Sequence, residues 1–257
     1  MNMMHLLCPV EGVQAVAEET FLLTFISREI SVAVQPGQFV NIRVSEQCVP
    51  LLRRPFSVHR VNGDRVEVVF NVVGRGTELL RRKRPAELLD VLGPLGVPFR
   101  YRGGDFSTAI LVAGGLGVAP LPLLTAALRA EEKTVMTFLG ARTGGRLVER
   151  HLENLRVATD DGSSGVRGTV VDLVRAHLAD REVGGVKMFG CGPTAMLKAL
   201  ASFARQSGIP CEVSLEGQMG CGFGICQGCP VELEGEERSY ALMCKEGPVF
   251  DVSKIRM

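Results

Sequence analysis

The chain has no tryptophan, only two tyrosines and four histidines in 257 residues, and its charges nearly cancel at a net +1. Each shortage excludes something. A nucleic-acid footprint needs a clustered basic excess. The one basic run, Arg81-Arg82-Lys83-Arg84, is too short to supply it and reads as a solvated surface. The histidines (His5, His59, His151 and His177) lie in no string that resembles a general acid–base arrangement, so they read as surface or packing residues. No catalytic residue is expected on this chain. No apolar stretch reaches the length needed to span a bilayer, and no charged leader precedes an apolar secretory segment. Leu6-Leu7-Cys8 has too little chain before it to be a lipoprotein signal. A cytoplasmic protein with no nucleic-acid or membrane partner is expected. Internal repeats and low-complexity linkers are also missing.

What is present is a well-buried composition, 46% hydrophobic and 22% charged, which is globular rather than disordered. The length accommodates two domains and a small module.

The most informative residues are four cysteines near the end: Cys221, Cys226 and Cys229 in C-x4-C-x2-C spacing, then Cys244. This is the plant-type spacing that holds a 2Fe–2S cluster. The loop Gly220-Cys221-Gly222-Phe223-Gly224-Ile225-Cys226-Gln227-Gly228-Cys229 carries four glycines. Glycine allows the positive φ and close backbone approach that wrapping a cluster demands. A zinc ribbon also uses four thiolates but pairs two short knuckles, whereas here three cysteines crowd one loop. Cys8, Cys48, Cys191 and Cys211 are scattered without the spacing of a disulfide framework.

The first hundred residues read as short strands between turns. Phe21 to Ile26 and Gln38 to Val44 are strand-like, and Pro55 to Arg60 and Arg65 to Val73 flank the hairpin turn Asn62-Gly63-Asp64. An antiparallel barrel or sandwich follows, closed by Gly93-Pro94-Leu95-Gly96. The rhythm then changes. Buried-type strands at Ile110 to Ala113, Thr134 to Leu139, Leu155 to Ala158 and Val186 to Phe189 alternate with helical stretches at Leu121 to Ala130, Thr169 to Leu178 and Thr194 to Arg205. That alternation predicts a doubly wound parallel sheet. The expected domains are residues 1–101, a β-barrel; 102–215, an α/β nucleotide domain; and 216–257, a small cluster module.

Several shorter strings carry chemistry only in this context. Arg54-Pro55-Phe56-Ser57 opens a barrel strand, and Gly74-Arg75-Gly76-Thr77 opens the segment Glu78 to Arg82. An arginine fork with a glycine and hydroxyl turn can grip a pyrophosphate from two sides. Gly114-Gly115-Leu116-Gly117-Val118-Ala119-Pro120 follows a buried strand and precedes a helix, and Gly190-Cys191-Gly192-Pro193 ends the last strand of the alternation. Two such turns suit a nicotinamide nucleotide on the carboxyl edge of a sheet, although the first is not a G-x-G-x-x-G fingerprint. Asp160-Asp161-Gly162-Ser163-Ser164-Gly165 is a further edge loop that could touch the nucleotide.

These strings in this order resemble the ferredoxin–NADP reductase superfamily over nearly the whole chain. Glu216 to Cys226 and Met243-Cys244-Lys245-Glu246-Gly247-Pro248-Val249-Phe250 are similar to the electron-transfer subunits of B-type dihydroorotate dehydrogenases. The resemblance implies FAD held by Arg54, Pro55, Phe56 and Ser57, by Val69, Phe70 and Asn71, and by Gly76 and Thr77. It implies NAD near Gly114, Gly115, Gly117, Cys191, Gly192 and Pro193, and the cluster on Cys221, Cys226, Cys229 and Cys244. It also implies an FMN-containing catalytic partner in a heterotetramer of two plus two, passing electrons from dihydroorotate to NAD in pyrimidine biosynthesis. Phe56 stands where many superfamily members have tyrosine, which keeps a ring to stack on flavin and loses a phenol donor. Arg142, after the second sheet strand, could meet a 2′-phosphate, while the resemblance favours NAD. The flavin subunit of a sulfide dehydrogenase, a ferredoxin-linked transhydrogenase or a hydrogenase would share the first two domains. A stand-alone oxygenase reductase fits less well, because no flexible linker precedes the cluster module.

Overall fold

Residues 3–47, 49–179, 183–235 and 239–257 are described by a computed structural model; Cys48 falls outside them. The first half is a closed six-stranded barrel rather than a sandwich. Its strands are β1 (Met4–Ala17), β2 (Thr20–Ile26), β3 (Phe39–Arg43), β4 (Arg54–Asn62), β5 (Arg65–Asn71) and β6 (Leu88–Leu95). They run in the order β1-β2-β5-β4-β3-β6, closed by pairing of β1 with β6. Two short helices, α1 (Arg28–Ala33) and α2 (Arg75–Arg81), fill the connections. Leu23, Phe25, Ile30, Ile42, Val58 and Leu80 are fully buried inside. Burial of this apolar interior drives the barrel together.

The long β1 was not legible as a strand, because Pro9 and Gly12 interrupt its alternation. In space it pairs with β6 through Pro9, then shifts register after Val10 and pairs with β2. One strand thus turns the barrel corner, where a bulge is the usual device. Gly93-Pro94, read as a closing turn, belongs to β6. The basic run is neutralised at the surface: Glu78 pairs with Arg81 at 2.8 Å and Arg82 at 2.7 Å, and Glu87 with Lys83 at 3.0 Å.

The second half is built on β7 (Thr108–Gly114), β8 (Thr134–Ala141), β9 (Leu155–Thr159), β10 (Val166–Arg167), β11 (Val186–Cys191) and β12 (Cys211–Ser214), with α3 (Leu121–Ala130), α4 (Val170–Leu178) and α5 (Thr194–Ser207). The parallel strands order as β10-β9-β8-β7-β11-β12. The chain winds outward from β7 in one direction and then returns to start again with β11. That places the topological switch point, where open α/β sheets bind ligands, between β7 and β11. Local chemistry supports the helices: Thr169 accepts from the Asp172 N–H to cap α4, and Gly208 ends α5 at φ 68°.

The terminal segment adds β13 (Pro230–Glu232), β14 (Tyr240–Leu242) and β15 (Val249–Asp251). β13 and β14 form a small ladder, but β15 joins the large sheet antiparallel to β12. The C-terminal segment is therefore stitched into the parallel sheet rather than hung after it. No helix among the described residues is long and apolar enough to cross a membrane.

His59 fastens the barrel to the α/β half of the chain. Its side chain is buried, and Nδ1 donates to the Ala119 carbonyl at 2.9 Å. Burial pushes the imidazole down to about 4, against the carbonyl bond that raises it. The unfolded chain therefore takes up a proton near pH 6.5 that the folded chain refuses until about pH 4. Stability should fall as pH drops through this window, by up to roughly 3 kcal/mol at 1.36 kcal/mol per unit. Thermal unfolding at pH 7 and pH 5 should show the loss, and His59→Gln should flatten it; an unchanged slope in the variant would contradict the assignment.

Candidate functional site

The four cysteines of the C-terminal segment stand as two pairs. Cys229 and Cys244 are buried, with their sulfurs 3.2 Å apart. The Cys244 N–H points at the Cys229 sulfur at 3.5 Å. Cys221 is half-buried and Cys226 exposed, and the Cys226 N–H donates to the Cys221 sulfur at 3.4 Å. Burial raises the Cys221 thiol, but N–H groups of Cys226, Phe223 and Ile225 outweigh it and bring the thiol down to about 6. Those donors favour the thiolate, the form a metal requires. At Cys244 burial and the neighbouring Cys229 push the thiol up to about 12. Among the described residues no three His, Cys, Asp or Glu side chains close on a point as a lone ion requires. Two thiol pairs fit a two-iron core, with two thiolates for each iron. Glycines make the wrapping possible: Gly222 and Gly224 sit at φ 83° and 93°, where other residues would be strained.

On the barrel, β4 carries Arg54, Pro55, Phe56 and Ser57. A Cβ on Gly76 would stand 3.1 Å from Arg54 Nε, so the guanidinium and the α2 turn converge into one cradle. Thr77 organises that turn: its hydroxyl accepts from the Val73 and Gly74 N–H groups at 2.9 and 3.2 Å. A bare glycine backbone beside a half-buried guanidinium is the combination a pyrophosphate needs. The stacking expected of Phe56 is a different matter. Its ring is 9% exposed and packs edge-on against Phe70 at 5.8 Å, inside the barrel core. The pleat turns Phe56 inward and leaves the partly open Ser57 facing outward. Of the β5 trio, Phe70 is also a core residue, Val69 is buried under a second cavity, and Asn71 reaches the nucleotide cavity.

That cavity, of about 470 Å³, lies at the carboxyl edge of the parallel sheet. Gly114 and Gly115 floor it at the end of β7, Gly140 and Arg142 at the end of β8, and Pro193 and Met196 at the start of α5. Thr20, Asn71 and Glu18 close it from the barrel side. The two glycine turns of the sequence therefore share one site. Gly117 and Gly192 shape it indirectly. A Cβ on Gly117 would lie 2.1 Å from the Cys191 carbonyl, and one on Gly192 2.9 Å from the Gly114 nitrogen. Only glycines let the two turns pack backbone to backbone. Asp160 lines the cavity as well, whereas Asp161 turns away to hold Ser163 through the side-chain and backbone contacts that depress its carboxyl.

Glu216 was quoted in the sequence without a role. Its carboxylate accepts from the Cys191 thiol at 3.9 Å. Burial pushes Cys191 far up, with Glu216 adding to it. Crowding around the Glu216 carboxyl raises it too, although part of the side chain meets solvent. The Cys191 thiol and the exposed Glu216 carboxyl thus meet at the switch point, from residues 25 apart in sequence. Two further contacts were invisible in the sequence. Glu18 packs its carboxylate on Gly145, and Asn41 of β3 donates to the Cys221 carbonyl at 2.9 Å.

Comparison with known proteins adds to this geometry. A family model described as the iron–sulfur cluster binding domain of dihydroorotate dehydrogenase B matches residues 216–256. The chain is 37% identical over 250 residues to the dihydroorotate dehydrogenase B (NAD(+)) electron transfer subunit of Desulforamulus reducens, covering 94% of each chain. It is 37% identical over 253 residues to the protein of the same name from Bacillus caldolyticus, covering 96% of each. The structure of an NADH-dependent reduced ferredoxin-NADP oxidoreductase, described for flavin-based electron bifurcation, aligns with a TM-score of 0.86 at 31% identity over 98% of this chain and 90% of that one. A ferredoxin NADP+ reductase from Neisseria gonorrhoeae with bound FAD and NADP shares the fold, with a TM-score of 0.67 at 16% identity over 81% and 92% of the two chains.

The cluster cysteines and the Arg54–Gly76 cradle belong to different segments of the chain, so the two sites should fail separately. Cys226→Ser is expected to strip or destabilise the iron while NADH still bleaches bound flavin. Iron analysis with an anaerobic flavin titration checks this. Flavin reduction lost together with the iron would contradict two independent sites.

Proposed function

The chain belongs to the electron-transfer subunits of dihydroorotate dehydrogenase B, which are NAD-linked flavin and iron–sulfur oxidoreductases, and from that premise we propose that it carries electrons between the FMN of a catalytic partner subunit and NAD in pyrimidine biosynthesis. One observation carries this reading: a nucleotide cavity, an arginine–glycine cradle and a paired-thiol loop stand in series within one chain. When bound, nicotinamide exchanges electrons in pairs, the 2Fe–2S cluster exchanges them singly, and FAD does both.

The protein's part is position. Arg54, Gly76 and Thr77 hold the FAD pyrophosphate, and Pro55, Ser57 and Asn71 line the flavin's path toward the sheet. Phe56, Val69 and Phe70 support that path from beneath through packing. Gly114, Gly115 and Pro193 receive the nicotinamide nucleotide, while Gly117, Cys191 and Gly192 hold the two turns together. Cys221 with Cys226, and Cys229 with Cys244, each take one iron. Residues 1–101, 102–215 and 216–257 serve flavin, NAD and cluster in turn, with β15 of the last segment lent to the sheet of the second.

The outward edge of the cluster loop suits a partner. Cys226 is exposed and Ile225 is 76% exposed beside it. Leu51 and Leu52 are exposed on the β3–β4 connection, whose Arg53 contacts the Asn41 carbonyl at 3.5 Å. An exposed cysteine and bare apolar side chains call for a cover. The FMN-bearing chain supplies it in a cytoplasmic two-plus-two heterotetramer. A second reading, the flavin subunit of a transhydrogenase-type complex, draws on the 31% identity to the bifurcating oxidoreductase.

Anaerobic co-purification with an FMN-bearing dihydroorotate dehydrogenase chain separates the two. Dihydroorotate-dependent reduction of NAD+ is expected only when both chains are present. A coloured chain that NADH reduces but that ignores dihydroorotate with every such partner would favour the second reading.

A further inference from the structure

Asn41 is a polar residue in an apolar setting. It sits on β3 between Val40 and Ile42, both fully buried, and is itself only 1% exposed. Its Nδ2 donates to the Cys221 carbonyl at 2.9 Å, across 180 residues of sequence. Its Oδ1 is buried with no hydrogen-bond partner among the described residues. A buried amide with an orphaned oxygen is a poor choice for barrel packing, because the lost hydration is not replaced. An apolar side chain of similar size would serve the barrel better. The amide therefore answers to something other than the barrel.

What it touches is the start of the cluster loop. A Cβ on Gly222 would lie 2.2 Å from Asn41 Nδ2, and Gly222 adopts φ 83°. Only a glycine backbone can approach the amide this closely. The next residue of the contact, Cys221, receives the loop's own N–H donors from Cys226, Phe223 and Ile225. Asn41 thus pins the outer thiol pair at its first residue. On its other side Asn41 is the direct ladder partner of Pro55, within the Arg54–Ser57 segment assigned above to flavin. Adjacent strands lie about 4.8 Å apart. Arg53, clamped to Asp90 at 2.8 and 2.9 Å, also reaches the Asn41 carbonyl. One residue thus links the strand beside Pro55, through its backbone, to the cluster loop, through its side chain.

We propose that Asn41 is a positioning residue that fixes the cluster loop on the flavin-binding barrel and so sets how fast single electrons pass between flavin and cluster. The inference rests on the flavin and cluster reading of these two sites. No bond is made and no proton is taken up at Asn41. The electrons that would pass between the two groups come from NADH, and Asn41 itself is neither oxidised nor reduced.

Two substitutions in the full, cofactor-loaded chain test this. Asn41→Leu removes the donor and the orphaned oxygen together. Asn41→Asp keeps the shape but cannot donate to the Cys221 carbonyl when ionised. Both should bleach flavin with NADH at the parent rate. Both should slow the following reduction of the cluster about tenfold or more, the scale of losses when a supporting partner of a metal site is removed. The electron paramagnetic resonance line shape of the reduced cluster should change as well. Parent-like line shapes and cluster reduction rates in both variants would overturn the proposal. So would flavin reduction falling in step with the cluster, which would mark a general loss of structure. A parent chain without iron would instead refute the cluster reading, and the proposal with it.

Discussion

Three sites can work in series only if the terminal segment is held against the rest of the chain, and the constraint that enforces this is the return of β15 to the sheet edge. Val249 pairs with Ser214 and Asp251 with Glu212, so the segment after Cys244 is locked antiparallel to the last strand before the cluster loop. The same segment grips the barrel exit. The Val97 N–H donates to the Gly247 carbonyl at 2.6 Å, and a Cβ on Gly96 would collide with Pro248. A cluster loop held by its own hairpin alone would drift against the flavin barrel. Here it is spanned at both ends by backbone hydrogen bonds to two other domains.

A buried charge network reinforces that junction. Glu212, 2% exposed on β12, accepts from Arg100 Nε at 2.5 Å and from the Arg100 backbone N–H at 2.8 Å. Lys187 of β11 stands 3.3 Å from the same carboxylate. Burial lowers the Lys187 ammonium and Glu212 opposes that shift. The carboxylate is tolerable inside only because both cations and an N–H meet it; removing one partner from such a set leaves an uncompensated charge. The network joins the linker after the barrel, the centre of the sheet and, through Asp251, the returning strand.

Much of this was legible in the sequence wherever the determinant is local. Cysteine spacing, the Asn62-Gly63 hairpin and the two glycine turns each specify a backbone shape within a few residues, and each occurs where expected. The periodicity of residues 110–205 likewise carried the parallel sheet. What escaped depends on distant chain. β1 is bent because two different partners claim its halves, which no window of its sequence contains. Phe56 faces inward because barrel closure decides which side of β4 is the core, so its aromatic character misled about its role. Glu216 meets Cys191 and Asn41 meets Cys221 only after the sheet and barrel have docked. Gly117, expected at the nucleotide, also lets two turns touch, because a Cβ there would meet the Cys191 carbonyl.

The most direct test of the series arrangement is a single anaerobic experiment on the purified chain: iron, sulfide and flavin content, followed by electron paramagnetic resonance after NADH addition. The account predicts two irons, two sulfides and one FAD per chain, and a low-temperature signal from a one-electron-reduced 2Fe–2S centre that NADH alone produces. Zinc in place of iron, or an iron centre that dithionite reduces and NADH does not, would contradict it.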